Sequence, residues 1–391
     1  MCKKKLYISV VSSLILFINQ AIADDFALSG KLNLQYGFNS DDFLKVSFTA
    51  VPTLEYSYHI NDYFSVGPFI KLSANLVDNT IDNPGNTKNS ILDINSNTRE
   101  AYIFLKSRNA GSLKIGRTGP VSQRMKLSSS NISVASGGVT GSWLQYSSYS
   151  CNTENTVLCV PNLYVACHGS SIPVISYYSP QIKGVEFGLS YIPKDKPKNI
   201  NDTNGNNAKL YHIYDNIVSM GVKYQNQLFS KVDYSISGVI EHANTLPSGD
   251  KYNDLLSYGV GFSFKYKNII FVGSYANLGN SGKKEILISN GTSTTNTYKI
   301  IDSRFYDLGI KVENDKFDIS FSYFYGAKDV INNSSVTNNS ETHSLSACAL
   351  GIEKLLANKM TVYADIVFFD IDLLSTSKSG YVGLIGTKLS F

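Results

Sequence analysis

Long hydrophobic runs are nearly missing from this 391-residue chain. The one sustained run, Leu6 to Ile18, follows Lys3-Lys4-Lys5 and precedes the small residues Ala21-Ile22-Ala23 and then Asp24-Asp25. That order is a secretory signal peptide, expected over 1–23, and the run is too short for a membrane anchor. The mature chain is expected over 24–391. Nothing later approaches the roughly 20 apolar residues a spanning helix needs, which excludes a helical membrane protein. Charge of one sign is also lacking. Lysine and arginine number 35 and aspartate and glutamate 31, and without the three leader lysines the balance is 32 against 31. A bulk electrostatic affinity for nucleic acid is thereby excluded. Tryptophan occurs once and histidine five times. Of five cysteines, Cys2 lies in the leader, Cys151, Cys159 and Cys167 cluster, and Cys348 is far away. Export permits disulfides. One local bridge among Cys151, Cys159 and Cys167 is expected, although spacing does not give the pairing. Cys167-His168 beside Cys159 matches no common zinc spacing, so neither a metal nor a cofactor is expected.

What is present is alternation. Phe26, Leu28, Leu32, Leu34, Tyr36 and Phe38 face one way, and Ser29, Lys31, Asn33 and Gln35 the other. Leu44 to Tyr58 repeats the pattern. Further strands are predicted near 63–77, 98–106, 112–117, 173–179, 184–192, 213–224, 231–242, 256–266, 268–278, 303–313, 316–327, 345–354, 359–370 and 380–391, sixteen in all. In water such a pattern means a half-buried sheet; in a barrel it means lipid outside and water inside. The connections alternate in length. Short ones include Arg108-Asn109-Ala110, Gln181-Ile182-Lys183 and Tyr266-Lys267-Asn268; long polar ones cover 78–97, 118–172, 193–212, 243–255, 279–302 and 328–344. Tight turns at one rim and long loops at the other distinguish an outer-membrane barrel from a soluble sandwich.

The chain ends on a strand, with Leu389 and Phe391 on one face. A closed membrane barrel must pair its last residues, because an open edge in lipid leaves backbone groups without partners. Leu389 and Phe391 are therefore expected to mark the barrel for assembly. Aromatics near strand ends, among them Tyr36, Tyr56, Tyr177, Tyr178, Tyr191, Tyr224 and Tyr266, suit interfacial girdles. Pro52 and Pro68 fall inside predicted strands, where a barrel wants a donor from every residue.

Several segments, in order, resemble the Gram-negative general porins. They are Leu28-Ser29-Gly30-Lys31-Leu32, Asn97-Thr98-Arg99-Glu100-Ala101-Tyr102-Ile103-Phe104-Leu105, Gly111-Ser112-Leu113-Lys114-Ile115-Gly116-Arg117, Ile175-Ser176-Tyr177-Tyr178-Ser179-Pro180 with Gly184-Val185-Glu186-Phe187-Gly188, and Thr387-Lys388-Leu389-Ser390-Phe391. The resemblance spans the mature chain. It implies a homotrimer of sixteen-stranded antiparallel transmembrane β-barrels in an outer membrane, passing small hydrophilic solutes passively. It also implies a long third loop folded into each lumen, here 118–172. The implied partners are outer-membrane lipids, the barrel-assembly machinery and the permeating solutes, with no nucleic acid.

A pore needs a constriction whose charges set which ions pass. The resemblance places Lys31 and Arg99 among the basic residues of the wall, with Val51 where a further family arginine is expected. Arg117 also matches a family arginine. Alternation puts it with Leu113 and Ile115 on the outer face, which suits a subunit interface. Asp78 and Asp82, in the loop that reaches a neighbouring subunit in the family, are candidates for its partners. Where general porins carry acidic residues in the third loop, Ala101 to Thr153 contains no aspartate or glutamate, and Arg124 and Lys126 lie in the loop itself. Lys31, Arg99, Arg124 and Lys126 are thus the predicted constriction, and a mild anion preference is expected. The opposing reading has acids on other strands, such as Glu55 or Asp233, offsetting these charges. An enzyme is not expected: His168 with Ser170, or His343 with Ser344, would have to act as base and nucleophile from loops without a third group. A substrate-specific porin, or a surface-exposed adhesin or antigen barrel, remain the alternatives.

Overall fold

The computed structural model describes residues 26–40, 44–78, 92–147, 172–195, 198–200, 209–211, 214–246, 252–283, 285–289, 295–332, 339–357, 359–373 and 376–391. The expected leader, Asp82, Cys151, Cys159, Cys167, His168 and Ser170 lie outside these residues.

Sixteen antiparallel strands form the wall. They are β1 (Phe26–Asn39), β2 (Leu44–Tyr56), β3 (Phe64–Asp78), β4 (Leu92–Ser107), β5 (Gly111–Arg117), β6 (Pro173–Tyr178), β7 (Val185–Lys194) and β8 (Tyr214–Leu228), then β9 (Val232–Thr245), β10 (Leu255–Tyr266), β11 (Ile269–Asn277), β12 (Thr295–Val312), β13 (Asp318–Asn332), β14 (Asn339–Ala357), β15 (Met360–Leu373) and β16 (Thr376–Ser390). Each pairs with its successor, and β16 pairs with β1 from Lys31↔Ser390 to Asn39↔Val382, closing the barrel. Beyond the last strand pair, Gly30 and Phe391 exchange backbone hydrogen bonds of 2.9 and 3.1 Å. The Phe391 ring lies over Gly30, where a Cβ would meet it at 2.5 Å. Closure leaves no edge, which is what lipid demands of a sheet.

The period of two decides the faces. In β10, Leu256, Tyr258 and Val260 are exposed while Leu255, Ser257 and Gly259 are buried. Exposed Leu189, Met220, Ile240, Phe321, Leu350, Phe368 and Ile385 extend this apolar outer face around the barrel. Tyr36, Tyr191, Tyr258, Tyr266 and Tyr306 stand on it. Tyr178 departs from the expected girdle: it is buried on the inner side.

All sixteen predicted strands are present, and several run further than predicted at the long-loop rim. β4 begins at Leu92, β12 at Thr295 and β14 at Asn339. The β14 extension is polar on both faces, and those of β4 and β12 carry only Leu92 and Ile94, and Tyr298, Ile300 and Ile301, so the hydrophobic alternation that signals a strand in lipid is absent or short there. His343 and Ser344, expected in a loop, therefore sit within β14. Successive strand residues point to opposite faces, so the two do not form a base–nucleophile pair. The prolines stay within their strands. The β2–β3 ladder skips Val51 and Pro52, then runs from Thr53↔Lys71 to Glu55↔Phe69. It stops at Pro68 and resumes with Tyr58↔Val66. Both missing donors thus fall on one seam, while Pro52 keeps its register with Gly30, and Pro68 with Ile103.

Candidate functional site

Residues 118–147 leave β5 and cross the polar inner face of the barrel. The reason is written strand by strand. Val121 N–H donates to Ser190 Oγ of β7 at 2.9 Å, and Ser122 N–H to Ser219 Oγ of β8 at 2.8 Å. Leu127 N–H reaches Ser237 Oγ of β9 at 3.1 Å, and Ser129 N–H reaches Asp307 Oδ2 of β12 at 2.8 Å. Val134 and Val139 donate to Ser320 and Ser322 of β13 at 3.0 and 3.1 Å. Ala135 N–H meets Glu353 of β14 at 3.0 Å, and Ser136 N–H meets Asp365 of β15 at 3.1 Å. At the far end, Ser142 donates to Gln35 of β1 at 2.7 Å and Asn39 Nδ2 donates to Tyr146 O at 2.6 Å. A loop buried against a wall must satisfy its backbone groups. Here inward serines and carboxylates do so on seven strands.

Packing completes the attachment. Val121 and Met125 of the short helix α1 (Val121–Met125) lie over Gly188 and Gly221, where a Cβ would meet them at 2.7 to 3.1 Å. At Gly261 a Cβ would meet the Leu127 carbonyl at 2.5 Å. The single tryptophan, Trp143, is fully buried; it stacks on Phe369 of β15 at 5.4 Å and donates to Val139 O at 2.9 Å. Composition marked this residue only as rare. Its isolation in a loop was the one available signal.

The charges divide in an unexpected way. Acids absent from the loop stand on the wall beneath it. Glu241 accepts from Ser122, Asp307 from Ser129, Glu353 from Ala135, Asp365 from Ser136, and Glu100 of β4 from both Arg124 and Thr118. Arg124 is therefore ion-paired to Glu100. Burial pushes the Lys126 ammonium below the usual lysine range, against the attraction of Asp307 and Glu241. Burial likewise raises the Tyr146 phenol above its ordinary value, although Ser47 hydrogen-bonds it.

The inner face of β1 to β5 nearer the short turns carries a different set. Lys31 is exposed on the face of Asn33 and Gln35. Lys71 Nζ is 4.0 Å from Glu100, and Lys106 pairs with Glu55 at 2.8 Å. Lys114 lies over the rings of Tyr102 and Tyr178 at 5.2 and 5.3 Å. Arg99 is the extra residue of a β-bulge, where the register slips between Lys71↔Glu100 and Leu72↔Thr98, and it is exposed. Arg117 is exposed and pairs with Ala101 and Pro173. Asp78 ends β3, in register with Val46 and Leu92. Sequence reasoning did not place Lys71 or Lys114 in the constriction. Both lie on polar faces of alternating strands, so the signal was there.

A closed sixteen-stranded barrel with an apolar exterior and a charged interior crossed by its own loop defines an outer-membrane channel protein. A family model described as Gram-negative porin matches residues 17–372, and the chain belongs to that family. An uncharacterized protein of Rickettsia bellii is 23% identical, with 74% of this chain and 76% of the relative covered. A second, from Rickettsia prowazekii, is 22% identical over the same shares. Among solved structures, OmpF of Salmonella typhi in complex with daunomycin is similar at a TM-score of 0.61 and 14% identity, covering 94% of this chain and 97% of that one. The anion-selective porin of Comamonas acidovorans gives 0.56 at 13% identity, covering 94% and 99%. These likenesses show the fold.

Proposed function

We propose that this outer-membrane porin passes small hydrophilic solutes by passive diffusion, prefers anions mildly, and assembles as a homotrimer. The observation that carries the preference is the inner face of β1 to β5. Toward the short turns, Lys31, Lys71, Lys106, Lys114 and the loop's Arg124 stand there against Glu55 and Glu100, five cations to two carboxylates among the described residues. A narrow passage with low-dielectric walls focuses the field of the charges that line it. Four further wall acids, Glu241, Asp307, Glu353 and Asp365, are engaged by the loop's backbone and serine donors, Asp302 and Asp329 by Arg304, and Asp233 by Gln227. The reading thus moves part of the selectivity from Lys126 to Lys71 and Lys114. A barrel of similar fold serves as an anion-selective porin in Comamonas acidovorans. The outward Arg117 and the loop from Asp78 are assigned to the subunit interface, and Leu389 with Phe391 to recognition by the assembly machinery.

The test is single-channel recording of the purified protein in a planar bilayer under a salt gradient. Conductance steps in groups of three, with a reversal potential on the anion side, are the expected result. A cation-side potential would overturn the preference and leave the channel. Silence from folded, heat-modifiable protein would overturn the channel itself.

A further inference from the structure

The same wall strip holds an aromatic pair between cations. Phe69 of β3 and Tyr102 of β4 stand opposite each other in register. Their rings stack with centroids 4.8 Å apart and planes 19° from parallel. Both rings are half-buried. Lys114 lies over the Tyr102 ring, and Lys71 follows Phe69 by two residues on the same face. Glu100, two residues before Tyr102, is held by Arg124. Lys106, over the Phe104 ring at 4.2 Å, bounds the strip toward the short turns.

A channel that only sorts ions by charge and width has no use for arenes facing its water. Exposed aromatic area in a lumen costs hydration unless something covers it. Stacking turns one face of each ring toward the other and leaves the ring edges outside that contact, and ring edges carry the positive end of the aromatic quadrupole. Edges and ammonium groups together therefore favour a negative group. The apolar area between them favours a flat hydrophobic body. A simple anion satisfies only the ammonium groups, and a neutral arene only the rings.

We propose that Phe69, Tyr102, Lys71 and Lys114 form a binding subsite for small aromatic carboxylates, such as benzoate. This rests on reading the chain as an anion-permeable channel. In the subsite the carboxylate meets Lys71 and Lys114, and the arene packs beside the stacked rings. Glu100 lies 4.0 Å from Lys71, and its repulsion is offset because Arg124 and Thr118 also hold that carboxylate.

The experiment adds benzoate, cyclohexanecarboxylate or acetate to one side of a bilayer containing the full-length protein and records interruptions of the chloride current. Benzoate is expected to block about fivefold more tightly than cyclohexanecarboxylate, the size of one aromatic contact, with acetate weakest. Phe69→Leu should remove the difference between benzoate and cyclohexanecarboxylate. Lys71→Met should weaken both blockers alike. Tyr102→Leu repeats the first comparison should Phe69→Leu not fold to a heat-modifiable barrel. Equal block by benzoate and cyclohexanecarboxylate, no block by any of the three, or a benzoate preference that survives both ring variants overturns the subsite and leaves the channel standing. A folded protein without conductance overturns the channel reading and the subsite with it.

Discussion

Two basic residues two positions apart have different fates here, and the difference is geometric. Arg124 reaches back to Glu100 at the passage, whereas Lys126 is packed between wall carboxylates. Arg124→Met should therefore shift the reversal potential toward cations, because it deletes a lumen charge and releases Glu100. Lys126→Met should leave selectivity nearly unchanged while lowering the heat-modification temperature. Equal shifts from the two variants would contradict this division of roles. A second residue-scale prediction concerns acid. At the β12–β13 turn, Glu313 sits 2.8 Å from Lys265 and 3.3 Å from Lys311. The hydrogen bond from Lys265, aided by Lys311, holds its carboxyl below the usual range. A depressed carboxylate binds fewer protons in the folded state, so its contribution is present above the unfolded value and fades as pH falls through the folded one. Heat-modification temperature should thus drop below about pH 4.5 in the wild type, the ordinary glutamate range. Glu313→Gln should remove a small part of that slope, since the Glu313–Lys265 pair is only half-buried and remains screened by solvent. Unchanged slopes would show that the pair does not count.

At the scale of elements, the loop is attached by a repeated device. Seven of the wall strands it crosses supply a serine or carboxylate acceptor, and several supply a glycine where the loop approaches. Trp143 then fixes its far half against β15. Removing a buried tryptophan side chain costs about 3–5 kcal/mol, from lost transfer energy and the cavity left behind. That cost falls on the loop's docking, because the ring lies between loop and wall. Trp143→Ala should give a folded, closed barrel with larger or fluctuating single-channel conductance. Gly261→Val should do the same from the wall side, since its side chain would displace the Leu127 carbonyl. Conductance equal to wild type in both variants would mean that the loop does not limit the passage. The alternation that revealed the strands says nothing about this loop. It has no period, and its order comes from partners 69 to 229 residues away along the chain.

For the whole molecule, the decisive bond is between the two ends. β1 and β16 pair, and Phe391 exchanges backbone hydrogen bonds with Gly30. Deleting Phe391 should lower the yield of heat-modifiable barrel in the outer membrane several-fold. It removes a terminal aromatic and two closing hydrogen bonds at once. Electrophoresis of unheated and heated membranes reads this directly, and normal yield would remove the terminal residue from the assembly argument.

The strands, their faces and the closed barrel were determined by the sequence alone. A period of two is local information, and lipid permits only one way to finish a sheet. Short turns and long loops likewise follow from local composition. Tertiary structure decided which charges are available to a solute. Arg124, Lys126 and the wall acids are separated in sequence by up to hundreds of residues, and no periodicity relates them. Their pairing arose only when the loop was laid across the inner face, where burial and a low dielectric force each charge to find a partner. The ladder skips at Pro52 and Pro68 and the bulge at Arg99 belong to the same category. A strand's own residues fix which way its side chains point, but its neighbours fix where the register must give.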